Sequence, residues 1–399
     1  MGDKEVQEEE EDSLYKQPLV AGKNDETGYL GNLSPDQEAK LDELIRLIPG
    51  CVAKAQEQVE AAEWTGPRIW GVDITEDTEA RKIVILKFLR AEEFDVKKAE
   101  PRITATLVWR AQCCVEVLCD AELPEQFVGH DTIPGLDVDG RPVLLSRFGA
   151  MDLKAVFGDC EAFVRYRVKF MEKAIRTLTF AKGQAEDLCQ IHDYTGVALR
   201  QEDYVKSAVK VVGKVFSDHY PEFKGKTIFV NFPKVFAAAF KTFATFLPSR
   251  TLRKFMILSH NDHWALFQLV PPESIVVPLG GVYREGCRDW KAKPQVVWVR
   301  QLWGKDCEGV VVESATTIAW EFRVCYLDLD AVVEFVPKSD PTKVVEVFNP
   351  GKRVDYTEGM VEGEFKAEEA GTLQFKFSNS FSLIRSKIAV CRAEAVKSA

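Results

Sequence analysis

The chain has no stretch of about 18 uncharged apolar residues, so no membrane-spanning helix is expected among its 399 residues. Its start, Met1-Gly2-Asp3-Lys4-Glu5-Val6, lacks the apolar run of a secretory leader and carries Val where a myristoylation signal needs Ser or Thr. The ten cysteines include no Cys-x-x-Cys pair. That argues against a zinc ribbon or disulfide framework and for reduced, buried thiols in a cytosolic protein. No Gly-x-Ser-x-Gly elbow and no Gly-x-Gly-x-x-Gly loop occurs, which removes common hydrolase and dinucleotide-binding signatures. Gly225-Lys226-Thr227 imitates the end of a phosphate loop, but Tyr220 stands where the first Gly is required, and the motif leads into a strand. His260 and His263 offer two imidazoles, yet they read better as part of a polar strand-to-helix loop with Asp262 near the helix start. His192-Asp193-Tyr194 lies at a strand end, where α/β sites form. With no nearby Ser or Cys to complete a triad, Asp193 reads as a turn former. No enzyme and no cofactor are expected.

What is present is a globular composition, 46% hydrophobic and 29% charged, in a chain long enough for two or three domains. The net charge of −10 is unevenly spread. Residues 1–12 hold seven acids and one lysine, whereas residues 204–256 hold ten Lys and Arg against Asp218 and Glu222. The acidic tail argues against general nucleic-acid binding. The basic segment points to an anionic membrane surface or a local counter-charge.

Residues 1–32 are polar and aperiodic and are expected to be disordered. Ser34-Pro35-Asp36-Gln37 is a capping box that opens a helix with the stripe Leu41, Leu44, Ile45 and Ile48, which Pro49-Gly50 is expected to stop. Residues 78–119 supply two or three short helices, with Ile83, Leu86 and Leu89 on one face and Val96, Ala99 and Ile103 on the next. From about 139, short apolar runs near 143–145, 188–194, 227–232 and 254–259 alternate with helical patterns at 161–181, 203–217 and 234–247. That alternation predicts a mostly parallel sheet covered by helices. Beyond about 294 the period is two. Ile318, Trp320, Phe322, Val324 and Tyr326 alternate with Ala319, Glu321, Arg323 and Cys325, as Leu373, Phe375 and Phe377 do with Gln374 and Lys376. This predicts an antiparallel β sandwich. The fold class is multidomain α/β plus β: a helical N-terminal cap, an α/β lobe and a terminal sandwich.

Residues 232–247 carry the functional argument. Phe236, Phe240, Phe243 and Leu247 share one helical face, Phe232 and Phe246 add apolar load, and Lys234 and Lys241 are the helix's charges. The helix runs into Arg250, Arg253 and Lys254. Three readings fit: a core helix on the sheet, a helix that touches a lipid interface, or a wall of a cavity for acyl chains.

Ile85-Leu86-Lys87-Phe88-Leu89-Arg90-Ala91, Phe94-Asp95-Val96 and Trp109-Arg110 resemble the helical N-terminal part of CRAL-TRIO lipid-transfer proteins. His219-Tyr220-Pro221-Glu222, Gly225-Lys226 and Pro278-Leu279-Gly280-Gly281 resemble that family's lipid-binding lobe. Phe365-Lys366-Ala367 and Phe377-Ser378-Asn379-Ser380 resemble a GOLD domain, and the order of parts is similar to that of patellin-like proteins over roughly residues 35–395. The resemblance implies a disordered tail over 1–32, a helical part over 33–120, a lipid-binding domain over 121–290 and a GOLD domain over 294–395. It implies a phospholipid ligand, with phosphatidylinositol or a phosphoinositide favoured. It places Glu222, Thr251 and Lys254 at the headgroup, residues 232–247 at the lipid gate, and Arg250 and Arg253 on the membrane surface.

Two departures bear on the headgroup. Glu92-Glu93 replaces a basic pair, and Leu188 and Gln190 replace the Ser and Thr of a choline-lipid site. The implied protein is cytoplasmic and peripherally membrane-associated, with membrane phospholipids as partners and a GOLD-bound protein as a further one. Lipid exchange in membrane trafficking is the leading function. A lipid-sensing scaffold and a carrier for a small hydrophobic ligand are the alternatives.

Overall fold

The computed structural model describes residues 27–149, 151–197, 202–233, 254–258 and 260–396. The chain divides into two compact units, Met1–Ile133 with Asp139–Ser259, and Pro134–Val138 with His260–Ala399. The antiparallel sandwich and the α/β sheet expected from periodicity are both present.

The first unit opens with α1 (Pro35–Gln56). Its capping box forms as expected: the Gln37 amide donates to Ser34 Oγ at 3.2 Å and the Ser34 amide donates to Gln37 Oε1 at 2.9 Å. The expected stop at Pro49 does not occur; the helix runs seven residues past it. An interior proline costs roughly 3 kcal/mol. The apolar stripe offsets that cost, because it continues through Cys51 and Ala55, both fully buried, at the spacing set by Leu44 and Ile48. A small hairpin of β1 (Arg68–Ile69) and β2 (Val72–Asp73) follows, then α2 (Glu79–Ala91), α3 (Val96–Gln112) and α4 (Val115–Leu118). Residues 27–32, expected to be disordered, instead form a turn with a Tyr29–Asn32 bridge. Arg90 holds that turn: its guanidinium donates to the Gly28 carbonyl at 3.0 Å and lies over the Tyr29 ring.

The strands β3 (Asp131–Leu136), β4 (Pro142–Arg147), β5 (Leu188–Asp193), β6 (Lys224–Val230) and β7 (Phe255–Leu258) form one sheet in that order. Between them lie α5 (Leu153–Phe157), α6 (Cys160–Ile175) and α7 (Asp203–His219). β4 to β7 are parallel, with Leu145 beside Ile191, Ile191 beside Ile228, and Ile228 beside Met256.

The motif residues of the helical part bind the sheet's helices and strand starts. Arg110 pairs with Glu172 of α6 at 2.6 Å, both fully buried, and also with Glu116. The Tyr220 hydroxyl donates to the same Glu172 carboxylate at 2.7 Å. Trp109 stacks on His219 at 4.4 Å. Trp70 stacks on Phe88 at 5.4 Å and meets Phe223 edge-on at 4.6 Å. Each such buried ring contributes roughly 1.5–3 kcal/mol.

The second unit holds β8 (Gln295–Val299), β9 (Gly304–Val312), β10 (Thr316–Val324), β11 (Asp328–Pro337), β12 (Val345–Phe348), β13 (Val354–Asp355), β14 (Val361–Ala367), β15 (Gly371–Ser378) and β16 (Lys387–Val396). One sheet has the order β14-β10-β16-β8 and the other β12-β11-β15-β9, with β13 beside β11. Phe322, Phe375 and Phe377 meet between them. The simple rule of apolar in and polar out fails on β10. Glu321 is fully buried and pairs with Arg392 at 2.7 Å and Arg284 at 2.9 Å. The cause is a strap that covers this outer face. Arg323 donates to the Val277 carbonyl, and Cys325 Sγ donates to the Gly280 carbonyl at 3.1 Å. Gly280 has φ +97°, and a Cβ on Gly281 would meet the Ile275 carbonyl at 2.0 Å, so this Gly-Gly pair is required by the strap's own path.

All ten cysteines are free thiols; Cys51, Cys119, Cys189 and Cys391 are buried, whereas Cys114 is exposed.

Two outcomes are expected. Glu172→Ala leaves the buried Arg110 without its main counter-charge and should lower the urea-unfolding free energy of this unit by about 3–5 kcal/mol; a loss near zero would show that the network carries no weight. Burial lowers the pKa of His219 from its ordinary value to about 4. The neutral ring is therefore favoured in the folded state. Its contribution is complete above the unfolded value near 6.5 and is lost progressively as pH falls towards 4. His219→Gln should flatten the acid limb of stability between these pH values, and an unchanged limb would contradict the assignment.

Candidate functional site

The two faces of the parallel sheet differ. Val143, Leu145, Cys189, Ile191, Ile228, Val230 and Leu258 are buried on one face. On the other, Gln190, His192 and Tyr194 of β5 and its exit alternate with those residues and are only half-buried, as are Phe229 and Phe255. An aromatic row crosses the strands on this second face. Phe148 and His192 lie 5.5 Å apart, His192 and Phe229 5.6 Å, and Phe229 and Phe255 6.0 Å.

The row ends in an apolar cleft of about 410 Å³ at the carboxyl ends of β4, β5 and β6. Phe148, Met151, Tyr194, Val197, Val209 and Phe232 are among its walls. This is where parallel α/β sheets place their ligands, and the volume lies within the roughly 300–1,000 Å³ of small-molecule sites.

Two local devices hold the cleft's rim. A Cβ on Gly149 would lie 1.6 Å from the Thr195 carbonyl, so only glycine lets the loops after β4 and β5 approach. Asp193 Oδ1 accepts from the Thr195 amide at 2.9 Å, the Thr195 hydroxyl at 2.6 Å and Asn231 Nδ2 at 3.0 Å. Asp193 is thus the turn former that the sequence indicated, and it ties the exits of β5 and β6 together.

The polar groups of this face are held neutral. Burial, with the charges of Arg167 and Lys224, pushes the His192 imidazole down to about 3, and its Nδ1 is sealed without a hydrogen-bond partner. Burial pushes the Tyr194 phenol up to about 12. An uncharged aromatic surface can accept hydrocarbon. Among the described residues no group of three or more His, Cys, Asp or Glu is arranged to hold a metal ion.

Two of the residues expected at a headgroup, Glu222 and Lys254, lie at the opposite end of the strands. Glu222 lies two residues before the start of β6 and adopts φ 58°, a left-handed conformation in which its carbonyl accepts from Lys87 Nζ at 2.9 Å. Its carboxylate is 4.0 Å from Arg90 Nε. Lys254 immediately precedes β7, and its carbonyl accepts from the Thr227 amide at 2.7 Å. Partial desolvation, with the like charge of Lys254, lowers the pKa of Lys224 at the start of β6. Thr251, Phe236, Phe240, Phe243, Phe246, Leu247, Arg250 and Arg253 lie outside the described residues, and so does the helix expected at 234–247.

Several charges at this edge find the local counter-charge that the sequence offered as one explanation. Glu92 is paired with Arg102 at 2.6 Å, and Arg102 also donates to the Asp218 carbonyl at 3.0 Å at the end of α7. Three cations of the basic segment meet local carboxylates: Lys206 with Asp203, Lys214 with Asp218 and Lys226 with Asp139. Leu188 is fully buried at the start of β5. The aromatic row was missed in the sequence. Its signal was the period-two register of Gln190, His192 and Tyr194 inside what read as one apolar run.

Comparison with known proteins agrees with this architecture. Residues 127–281 match the CRAL/TRIO domain model. Patellin-6 of Arabidopsis thaliana is 28% identical over 390 residues, which cover 94% of this chain and 90% of the relative. Patellin-3 of the same plant is 27% identical over 395 residues, covering 95% and 79%. A phosphatidylinositol transfer protein, SFH5 of Cryptococcus neoformans, is 30% identical over 221 residues, covering 50% of this chain and 74% of the relative. With its parallel sheet, its motifs in order and homology to patellins along nearly its whole length, the chain belongs to the CRAL-TRIO family.

Proposed function

We propose that this protein binds a single phospholipid in its α/β unit and exchanges or presents it at membranes. The observation that carries this reading is the half-buried aromatic face of the sheet, which opens into an apolar cleft at one end and has charged residues at the other. β6 is seven residues long. At about 3.3 Å per residue the two ends are roughly 20 Å apart. An acyl chain spans about half of the ~30 Å hydrocarbon core of a bilayer. Tails on the aromatic floor and a headgroup near the strand starts therefore match the sheet in length and in polarity.

Phosphatidylinositol or a phosphoinositide is the headgroup class this reading favours. Lys254 supplies the counter-charge to a phosphodiester, Thr251 a hydroxyl donor, and Glu222 an acceptor for inositol hydroxyls or a partner for the lysine. Arg102 engages Glu92, which supports an anionic headgroup nearby by offsetting the acid that replaces the family's base. Residues 232–247 serve as the gate in this proposal, with Phe232, Phe236, Phe240, Phe243, Phe246 and Leu247 against the tails, and Arg250 and Arg253 towards the membrane. The working parts are residues 33–120, 121–290 and a GOLD-like sandwich at 294–395. The protein is a cytoplasmic, peripherally bound carrier in membrane trafficking rather than a catalyst.

Transfer between donor and acceptor vesicles tests the reading. Phe240→Asp with Phe243→Asp, and separately Phe232→Asp, should each slow transfer about tenfold or more, since charge in an acyl cavity is strongly disfavoured. Transfer at the parent rate in both would mean that this region is ordinary core. Lys254→Ala should weaken phosphoinositide binding while phosphatidylcholine is unaffected; an equal loss for both lipids would remove the headgroup assignment.

A further inference from the structure

The sandwich unit exposes apolar side chains at one end in a manner its own packing does not require. Leu302 and Trp303 are 58% and 67% exposed, and Leu383 and Ile384 are 75% and 85% exposed. They belong to two separate loops, between β8 and β9 and between β15 and β16. Hydrogen bonds hold these loops together. The Leu302 amide donates to the Asn379 and Ser382 carbonyls, both at 3.2 Å, and the Asn379 amide donates to the Trp303 carbonyl at 2.8 Å. Asn379 is fully buried, and its Nδ2 donates to the Val299 and Arg385 carbonyls at 3.3 and 2.8 Å. Ser386 Oγ donates to Gln301 Oε1 at 3.0 Å. Leu302 is fixed at φ 62°, a conformation unfavourable for leucine. A folded and cross-tied platform thus displays four large apolar side chains to water, which is rare for a surface without a partner.

Charge identifies the partner. Residues 295–305 and 371–393 contain no Asp or Glu, whereas Arg300, Lys305, Arg385 and Lys387 lie in or beside the two loops. Lys387 is taken up by Asp328 at 2.6 Å, while no carboxylate pairs with Arg300, Lys305 or Arg385 among the described residues. Trp, Leu and Ile at two tips with a cationic collar fit the interface of an anionic bilayer, where apolar tips enter the acyl boundary and cations meet headgroups. We propose that the Leu302-Trp303 and Leu383-Ile384 tips dock the sandwich unit on an anionic lipid surface. This docking is separate from the lipid cavity and does not depend on it.

The test is vesicle co-sedimentation of the full chain with equal parts phosphatidylcholine and phosphatidylserine. Leu383→Asp with Ile384→Asp, and independently Trp303→Ser, should each weaken binding about tenfold or more, with an unchanged melting curve as the control for folding. Lipid content of the cavity should be untouched, which separates this proposal from the carrier function. Binding of the parent should fall with added salt and be weaker on phosphatidylcholine alone. Parent-like binding by both variants would overturn the proposal. So would a concentration-dependent dimer that the paired variant dissolves while vesicle binding persists, since the patch would then serve a second copy of the chain.

Discussion

The α/β unit depends on one buried charge network, Arg110 with Glu172 and Tyr220. A guanidinium and a carboxylate removed from water are tolerable only as a fully hydrogen-bonded set. That requirement fixes three elements at once. Arg110 comes from α3, Glu172 from α6, and Tyr220 from the junction of α7 and β6. The Trp109–His219 stack beside it closes the same junction. The motif residues that mark the family are therefore, in large part, structural. They seat the helical part on the lobe and set where β6 begins, and so where the aromatic face lies.

From that frame the sheet acquires its asymmetry. One face is filled by aliphatic side chains and is ordinary core. The other presents Phe148, His192, Phe229 and Phe255 in a row, with His192 and Tyr194 kept neutral by burial. Neutral aromatic surface, apolar cleft and charged far end form a gradient of polarity along the strands. An amphiphile is the ligand class that fits such a gradient; a fully polar metabolite would leave the cleft empty, and a simple hydrocarbon would leave the charged end unused. In the second unit, the strap over β10 repeats the logic of the first. Glu321 is buried only because Arg284 and Arg392 reach it from two sides.

Much of this was legible in the sequence because periodicity and capping are local. The Ser34 capping box, the alternation of strands and helices after 139 and the period-two strands after 294 all follow from residues within a few positions of one another. The errors came from long-range packing. Pro49 is carried inside α1 because Cys51 and Ala55 find a buried partner surface. The turn at 27–32 exists because Arg90, some sixty residues away, binds it. Glu321 looked like the wet side of a strand because its covering strap is remote in sequence. The aromatic row was hidden for a different reason: its members come one or two from each strand, and only the parallel register aligns them. Of the phenylalanine-rich segment 232–247, Phe232 lines the cleft and residues 234–247 lie outside the described residues, so the cavity reading rests on the sheet face and the cleft.

The central claim is that the α/β unit encloses one phospholipid. Native mass spectrometry of the full chain, purified without added lipid or detergent, measures it most directly. The account predicts a dominant species heavier than the bare chain by the mass of a single phospholipid, released as an inositol-containing lipid on collisional activation. A spectrum of bare chain alone, unchanged after incubation with phosphatidylinositol vesicles, would contradict it.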